Sequence, residues 1–369
     1  MEDAEDEDED DLDGYSDDED TSYKIRRSAT KLLGAIIETR PELLISLYRD
    51  VSPALVQRFG DREETVRLEI WSTYGALLSQ TKVYGGIPQP TNSPGSLGVG
   101  GKRKRTASGA DGMEIEVDSP VSLLKTQVPS IAKALLAQLR GARTPPNVLQ
   151  AGFTLLHQLI EVLPGCLSAH VTPLTSIAHN VLSQSPTTSS VGLHTTCLSF
   201  LTAFFSSHSP PTFSNALPSI TPSLLRTLSE RHPRIISEAF RVFSALLNAM
   251  RPVKTGEWAD QVYEESVKRL TGVDTDGEVR ARAEVCMGDL WVCASDVVRT
   301  KDGREWEAMC RTTGRTDGAV KVVARVAEEV DVGDVWINGS IEWLLGVLRK
   351  SGKSGKGDAF HCLEVLLHK

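Results

Sequence analysis

Apolar residues recur at helical spacing in pairs of segments that are separated by short polar turns. The clearest pair lies within residues 51–78, where one apolar run ends at Phe59 and a second begins at Val66. Apolar positions every three or four residues in both runs predict two amphipathic helices. Gly60 is placed to enter the left-handed region after the first helix, and Asp61 to accept N–H groups of the second. The segment predicts a helix–turn–helix hairpin.

The same hairpin pattern recurs along the chain. Three triplets share one spacing, in which an aspartate is followed five positions later by an apolar residue and then directly by a cation. They are Asp20–Ile25–Arg26, Asp61–Val66–Arg67 and Asp274–Val279–Arg280. Looser copies are centred on Val148, Val191, Ile235 and Val320. Successive copies are 41 to 44 residues apart, with one gap of 82, and this is the period of HEAT-type repeats. Prolines that should end the first helix of a hairpin keep the same register, at Pro41, Pro164, Pro252 and, slightly later, Pro210.

The repeated acid and cation positions suggest a role in stacking. We expect Asp20, Arg26, Asp61, Arg67, Asp274 and Arg280 to form a ladder of polar contacts between adjacent repeats. Exposed pairs of this kind contribute only about 0.2 to 1 kcal/mol each, so the ladder would fix the register of the hairpins more than their stability.

The predicted fold class is all-α, an α-solenoid of HEAT/armadillo-type helical hairpins in which each hairpin is covered by its neighbours. Aromatic residues make up only 6% of the chain, and the large apolar residues are mostly aliphatic, which favours packing of helices on helices. We expect HEAT repeats over residues 23–83 and 121–294. Diverged repeats are expected over residues 295–369, where the apolar pattern is weaker.

Two segments lack helical periodicity and are expected to be disordered. Residues 1–22 contain 14 acidic residues and no lysine or arginine, and residues 84–120 are rich in Gly, Pro and Ser. The acidic run outweighs the net charge of −9 of the whole chain, so the remainder is close to neutral and no direct binding to nucleic acid is expected. The acidic run either keeps the chain soluble or contacts a basic partner.

A basic cluster within the second segment is the sharpest short motif: Lys102, Arg103, Lys104 and Arg105. Four consecutive cations in an exposed segment can act as a nuclear-import signal, which phosphorylation of Thr106 or Ser108 would modulate. The alternative is a solvated basic loop that contacts the acidic run.

No apolar run is long enough to span a bilayer, and the N-terminus does not resemble a secretory signal. The expected location is therefore cytoplasmic and nuclear, without membrane attachment.

The sequence contains no residue pattern typical of catalysis. The six cysteines are scattered without a C-x-x-C pair, and the eight histidines form no metal-binding motif. Gly352, Lys353 and Ser354 match the end of a P-loop, but the position that requires glycine is Val347. We expect a protein that is not an enzyme and that uses neither a cofactor nor a metal.

Several segments resemble a known family. TSYKIRRSATKLLGAIIETRPELL and VSPALVQRFGDREETVRLEIWSTYGALLSQTK, which follow the acidic run, are similar to the central part of the cullin-associated and neddylation-dissociated family. QVPSIAKALLAQL, LIEVLPGCLSAHV and SEAFRVFSALLNAMRP are similar to its later repeats. The resemblance covers most of residues 17–369 and is strongest before Tyr84.

The resemblance implies a non-enzymatic solenoid that binds a cullin and its RING subunit when the cullin lacks its ubiquitin-like modifier. Such a protein promotes the exchange of substrate receptors, and so regulates the assembly of cullin-RING (SCF-type) ubiquitin ligases. The resemblance also implies the TATA-binding protein as a candidate partner. Because only part of the family's length is matched, we expect exposed apolar ends, and hence self-association or a second polypeptide that supplies the missing repeats.

The partner-facing residues are expected on the helix that follows the proline break of each repeat, with Gln57 and Arg58 as candidates. The alternative for both is an ordinary solvated position on a helix. The alternative function is a HEAT-repeat nuclear transport or chromatin/transcription adaptor. The acidic run and the basic cluster are compatible with that alternative, but the detailed sequence of the repeats does not favour it.

Overall fold

A computed structural model describes residues 13–86, 119–141, 143–253, 257–310, 317–350 and 356–369, and all regular structure within these ranges is helical. The predicted all-α class is confirmed. The α-helices are α1 (Asp13–Thr39), α2 (Leu44–Ser46), α3 (Ser52–Gln57), α4 (Glu64–Tyr84), α5 (Pro120–Leu139), α6 (Pro146–Val162), α7 (Val171–Leu182), α8 (Val191–Ser207), α9 (Pro210–Phe213), α10 (Leu217–Leu228), α11 (Pro233–Ala249), α12 (Glu257–Thr271), α13 (Gly277–Cys293), α14 (Ser295–Arg299), α15 (Arg304–Cys310), α16 (Asp317–Glu329), α17 (Gly333–Lys350) and α18 (Lys356–Leu367).

The described residues form two compact units. The first extends to Gln138 and includes Glu161–Leu163, and the second comprises Leu139–Ile160 and Pro164–Lys369. The expected insert, residues 84–120, lies almost entirely outside the described residues, as does most of the acidic run.

In the first unit, α4 packs against α1 and against the short helices α2 and α3. α1 ends directly before the Arg40–Pro41 pair, as predicted, because proline cannot continue the hydrogen-bond pattern of the preceding turn. The core is aromatic: the ring of Phe59 makes edge contacts with Trp71 and Tyr74, at centroid distances of 6.3 and 5.3 Å. Burial of such a ring stabilises the fold enough that truncation to alanine costs about 3 to 5 kcal/mol.

Buried hydroxyl groups in this unit are paired. The Tyr48 hydroxyl lies 2.7 Å from Oγ1 of Thr81, and the Tyr74 hydroxyl lies 3.0 Å from Oγ of Ser52. Burial raises the pKa of both tyrosines, so the phenols stay protonated and act as hydrogen-bonding groups within the core.

In the second unit, helices of successive hairpins pack in two rows. The A row consists of α8, α11, α13, α16 and α18, and the B row of α7, α10, α12 and α15. α7 packs on α8, α10 on α11 and α12 on α13, which confirms the hairpins that the sequence predicts in this region. The apolar stripe of α11 shows why the rows hold together: Ile235, Ala239, Phe240, Phe243 and Leu247 are all fully buried. Each such large side chain contributes about 1.5 to 3 kcal/mol by burial.

Partly buried tryptophans pack against the core of the diverged repeats. Trp306 makes edge contacts with Trp336 and Trp343, with centroids 5.7 and 5.6 Å apart, and Trp336 makes a similar contact with Trp291 at 5.6 Å. The aliphatic stripe is weaker here because these large rings replace several aliphatic side chains. The segment remains helical and joins the A row through α16 and α18.

The local structure differs from expectation at Gly60, and α1 begins at Asp13, within the run of acidic residues. Acidic residues are tolerated near the N-terminal end of a helix because of the helix dipole. Gly60 does not adopt a positive φ; instead, an added Cβ there would lie 2.8 Å from Nε2 of Gln138, so glycine permits a close approach of α5.

Candidate protein-binding surface

Arginines connect successive helices of the B row. Arg226 of α10 donates from Nη2 to the carbonyl oxygens of Leu182, where α7 ends, and of Gln184, the latter at 3.0 Å. Arg269 of α12 donates in the same way to the carbonyl of Leu228, where α10 ends, at 2.7 Å. The last carbonyls of a helix have no partner within it, so each arginine satisfies an otherwise unpaired acceptor. The two arginines, 43 residues apart in the sequence, set the spacing of the row.

A groove of about 1020 Å³ runs between α10 and α12. Its apolar wall is formed by Leu217, Pro218, Pro222, Leu225 and Trp258. The Trp258 ring stacks on Phe243 of α11, with centroids 6.1 Å apart, and is fixed in position by that contact. Proline and stacked tryptophan lose little conformational entropy on binding, so this wall suits contact with a partner protein.

The opposite rim of the groove is charged, and its charges are paired. Lys301 lies 2.9 Å from Asp260 and 3.5 Å from Glu264, while Arg304 binds both carboxylate oxygens of Glu264 at 3.0 Å. The hydrogen bond from Arg304 lowers the pKa of Glu264, and the hydrogen bond to Asp260 raises the pKa of Lys301. The rim therefore stays charged at neutral pH. An apolar groove with a polar, charged rim is the usual anatomy of a protein–protein interface.

The A row has a polar network of its own. The carboxylate of Asp289 in α13 is almost fully buried and accepts from Asn248 of α11 at 2.8 Å and from Arg325 of α16 at 2.6 Å. Arg325 also donates to Glu329 at 2.9 Å. Three successive A-row helices are joined through one side chain, and this buried link fixes their packing.

The predicted ladder is present at one position among the described side chains. Arg26 of α1 lies 3.2 Å from Asp61, which precedes α4, and Oδ1 of Asp61 also accepts the backbone N–H of Glu63 at 3.0 Å. Arg67 donates at 3.4 Å to Gln138, a contact with α5 rather than with an acid of the ladder. Asp20 has no described side chain.

The ladder is wrong at the third position. Arg280 donates to the carbonyl of Gly272 at 2.7 Å, within its own hairpin, and Asp274 is exposed in the turn. Asp276 takes the capping role instead: it accepts N–H groups of Glu278 and Val279 at the start of α13, at 2.9 and 3.4 Å. The acid that caps this helix lies two residues later than the repeated pattern predicts.

The predicted partner-facing residues lie in the first unit. Gln57 is the last residue of α3, Arg58 follows it in the turn, and both side chains are exposed. Their exposure is compatible with contact to a partner and equally with solvation. The basic cluster Lys102, Arg103, Lys104 and Arg105 lies outside the described residues.

Two cysteine thiols stay protonated in the fold. Burial raises the pKa of the Cys293 thiol to about 11 and that of the Cys166 thiol to about 12, so neither is a thiolate nucleophile at neutral pH. In the described ranges, no group of three His, Cys, Asp or Glu side chains is arranged to hold a metal ion. Within the same part of the chain, none of the helices is both long and apolar enough to cross a bilayer.

The chain is similar in sequence to one family of repeats and to several proteins that share a name. A family model described as "CAND1-like, TPR repeats" matches residues 165–287. Cullin-associated NEDD8-dissociated protein 1 of Drosophila melanogaster is 30% identical over 300 residues, which cover 79% of this chain and 22% of the relative. The protein of the same name from Arabidopsis thaliana is 32% identical over 288 residues, which cover 76% and 21%. The chain thus spans about a fifth of the length of these relatives.

A third relative is itself named as a part. The "C-terminal part" of cullin-associated NEDD8-dissociated protein 1 from Emericella nidulans is 29% identical over 362 residues, which cover 86% of this chain and 34% of the relative. Among solved structures, a Kap121p mutant superposes with a TM-score of 0.56 at 14% identity, over 92% of this chain and 32% of Kap121p. That likeness supports the solenoid fold and nothing further.

Proposed function

We propose that this chain is a CAND1-like helical-repeat protein that binds a cullin and does so without catalysing a reaction. The observation that carries the proposal is the match to proteins named for association with cullins, which extends over most of the chain. The described side chains agree with it, since they form an apolar groove with a charged rim.

The groove between α10 and α12 is the surface that we propose for this contact. Leu225 and Trp258 offer apolar area that is not covered within the second unit, and Asp260 and Glu264 offer carboxylates already held in place by cations. A preorganised rim lowers the cost of ordering side chains on binding. Gln57 and Arg58, exposed on the first unit, would add polar contacts.

The regulatory role follows from the family resemblance. We propose that the chain prefers a cullin that lacks NEDD8, that the cullin's RING subunit forms part of the bound scaffold, and that binding promotes receptor exchange in cullin-RING ligases. We also propose that it works in the cytoplasm and nucleus. A second polypeptide that supplies further repeats is a proposed partner, supported by the relative that is named as a C-terminal part. The TATA-binding protein stays an expectation from the resemblance alone.

The alternative of a nuclear transport adaptor gains no support from the likeness to Kap121p. At 14% identity that likeness reflects the shared solenoid fold. The chain's sequence relatives are named for cullins, and we therefore prefer the cullin proposal.

A pull-down with matched variants tests the proposed surface. Leu225→Glu places a carboxylate on the apolar wall of the groove and is expected to reduce recovery of an unmodified cullin–RING scaffold severalfold. Val285→Glu is the control, because Val285 is 47% exposed on α13 of the A row, away from this groove. Equal loss in both variants, or unchanged recovery with Leu225→Glu, would contradict binding through the groove.

A further inference from the structure

The loop between α7 and α8 carries an exposed serine followed by proline. Ser185 and Pro186 lie in irregular backbone after the end of α7 at Leu182 and before the start of α8 at Val191. The side chain of Ser185 is exposed. Modifying enzymes act most readily on exposed side chains in loops of this kind.

Two side-chain nitrogen atoms lie close to the carbonyl oxygen of Gln184, the residue before Ser185. Arg226 donates to the Gln184 oxygen at 3.0 Å, and Nε2 of the buried His194 lies 3.2 Å from the same oxygen. The guanidinium of Arg226 is thus held at the backbone of the residue that precedes Ser185. Residues 183–190 contain no acidic residue that would compete for it.

We propose that Ser185 is a phosphorylation site for a proline-directed serine/threonine kinase and that Arg226 binds the resulting phosphate. In this step Oγ of Ser185 attacks the γ-phosphorus of ATP. The new O–P bond forms as the bond from the γ-phosphorus to the β–γ bridging oxygen breaks, ADP leaves, and the hydroxyl proton passes to the kinase's catalytic base.

The charges of the two groups are complementary. A phosphoserine carries a charge of about −1.5 to −2 at pH 7, and a guanidinium can bind two phosphate oxygens at once. Arg226 needs no long movement, because one of its present acceptors, the carbonyl of Gln184, belongs to the same loop as Ser185.

Burial and backbone position separate Ser185 from most other serine–proline and threonine–proline pairs in the described residues. Ser52 and Thr221 are buried within helices, Ser119 and Thr144 are half-buried, and the exposed Thr172 lies in the first turn of α7. Ser209 precedes Pro210 and is exposed, but its hydroxyl lies 3.0 Å from Oγ1 of Thr212 at the start of α9. Ser209 therefore serves as a control site that lacks Arg226.

The modification would act on the candidate binding surface. Arg226 lines the groove between α10 and α12, so drawing its guanidinium toward a phosphate changes the charge at the edge of that groove. This effect does not depend on which partner the groove binds. Phosphorylation of Ser185 would thus add a negative group and withdraw a positive one at the same edge.

Phosphate mapping tests the first half of the proposal. The full chain is incubated with ATP and a proline-directed kinase, and the modified residues are identified by peptide mass spectrometry. We expect phosphate on Ser185, its loss in Ser185→Ala, and no change at that site in Ser209→Ala. The proposal is overturned if Ser185 stays unmodified in the folded chain while a synthetic peptide of residues 181–191 is phosphorylated under the same conditions.

A phosphorus NMR titration of the phosphorylated chain tests the second half. Pairing with Arg226 should bring the second pKa of the phosphate below its usual value of about 6. Arg226→Gln should move it back, Arg226→Lys should keep part of the lowering, and Arg241→Gln, an exposed arginine on α11, should leave it unchanged. Identical titrations of the parent and Arg226→Gln would overturn the role of Arg226.

Discussion

Arg325 of α16 and Asp289 of α13 form an ion pair at 2.6 Å in which the carboxylate is almost completely buried. Asn248 of α11 donates to the same carboxylate oxygen, so three consecutive A-row helices meet at one acid. A charge that is withdrawn from water stabilises the fold only while its partners are in place. The pair therefore provides a direct test of how the A row is held together.

Loss of the cation at this pair is expected to be costly. Arg325→Met leaves the Asp289 carboxylate buried without a charged partner, and we expect the free energy of unfolding to fall by about 3 kcal/mol. Urea unfolding followed by circular dichroism measures the change. Arg241→Met is the control, because Arg241 forms an exposed pair with Glu238 one turn away, and it should cost no more than about 0.5 kcal/mol. Equal effects of the two changes would contradict a structural role for the buried pair.

The Arg26–Asp61 pair should couple weakly. Arg26 keeps about a quarter of its side chain exposed, with an exposed fraction of 27%, while that of Asp61 is 4%. A double-mutant cycle with Arg26→Met and Asp61→Asn is expected to give a coupling energy of about 0.2 to 1 kcal/mol. Asn at position 61 can still accept the N–H of Glu63, so the cycle isolates the ion pair. A coupling energy of zero would show that this pair does not help to stack the first hairpins.

His208 predicts a dependence of stability on pH. Its ring is buried against Phe204, Nε2 accepts the backbone N–H of Leu167 at 3.2 Å, and Nδ1 lies 2.9 Å from the carbonyl oxygen of Phe204. Burial lowers the pKa of His208 below its usual value of about 6.5. The unfolded chain therefore binds a proton more readily, and stability that is fully present above about pH 6.5 is lost as the pH falls below that value.

Unfolding of the parent and of His208→Asn at pH 7.5 and pH 5.5 measures this dependence. The parent should lose more stability between the two values than the variant, by at most about 1.4 kcal/mol per pH unit, which corresponds to one proton. A variant with the same pH dependence as the parent would contradict the assignment to His208.

Much of the fold could be predicted because amphipathic stripes are local features of the sequence. The spacing of Val191, Ile235 and Val279 locates α8, α11 and α13 before any packing is known. Proline positions mark helix ends for the same reason: Pro41 and Pro164 each act on the turn directly before them.

The contacts between repeats could not be predicted in the same way. Arg226 and Arg269 bind backbone carbonyl oxygens. Because every residue has a carbonyl, the side chains near the acceptor do not reveal from the sequence that it will bind an arginine. The recurrence of a serine three residues before each arginine, at Ser223 and Ser266, was the one available hint. Asp289 resembles a solvated helix acid until the neighbouring rows are placed around it. The shift of the cap from Asp274 to Asp276 depends on the length of one turn, which periodicity does not determine.

The basic cluster predicts partial accumulation in the nucleus. Replacing Lys102, Arg103, Lys104 and Arg105 by alanine should lower the nuclear fraction of a fluorescently tagged full chain, because the cluster is the proposed import signal. Lys353→Ala with Lys356→Ala, in another Gly- and Lys-containing stretch, is the matched control and should leave the distribution unchanged. An unchanged nuclear fraction in the four-residue variant would leave only the solvated-loop interpretation of the cluster.

The affinity of the full chain for a cullin–RING scaffold with and without attached NEDD8 tests the central proposal most directly. Titration calorimetry or surface binding with the same scaffold in both forms provides the two dissociation constants. We expect the unmodified scaffold to bind at least about tenfold more tightly, a difference of about 1.4 kcal/mol or more. Equal affinities for the two forms, or no binding to either, would contradict the proposed function.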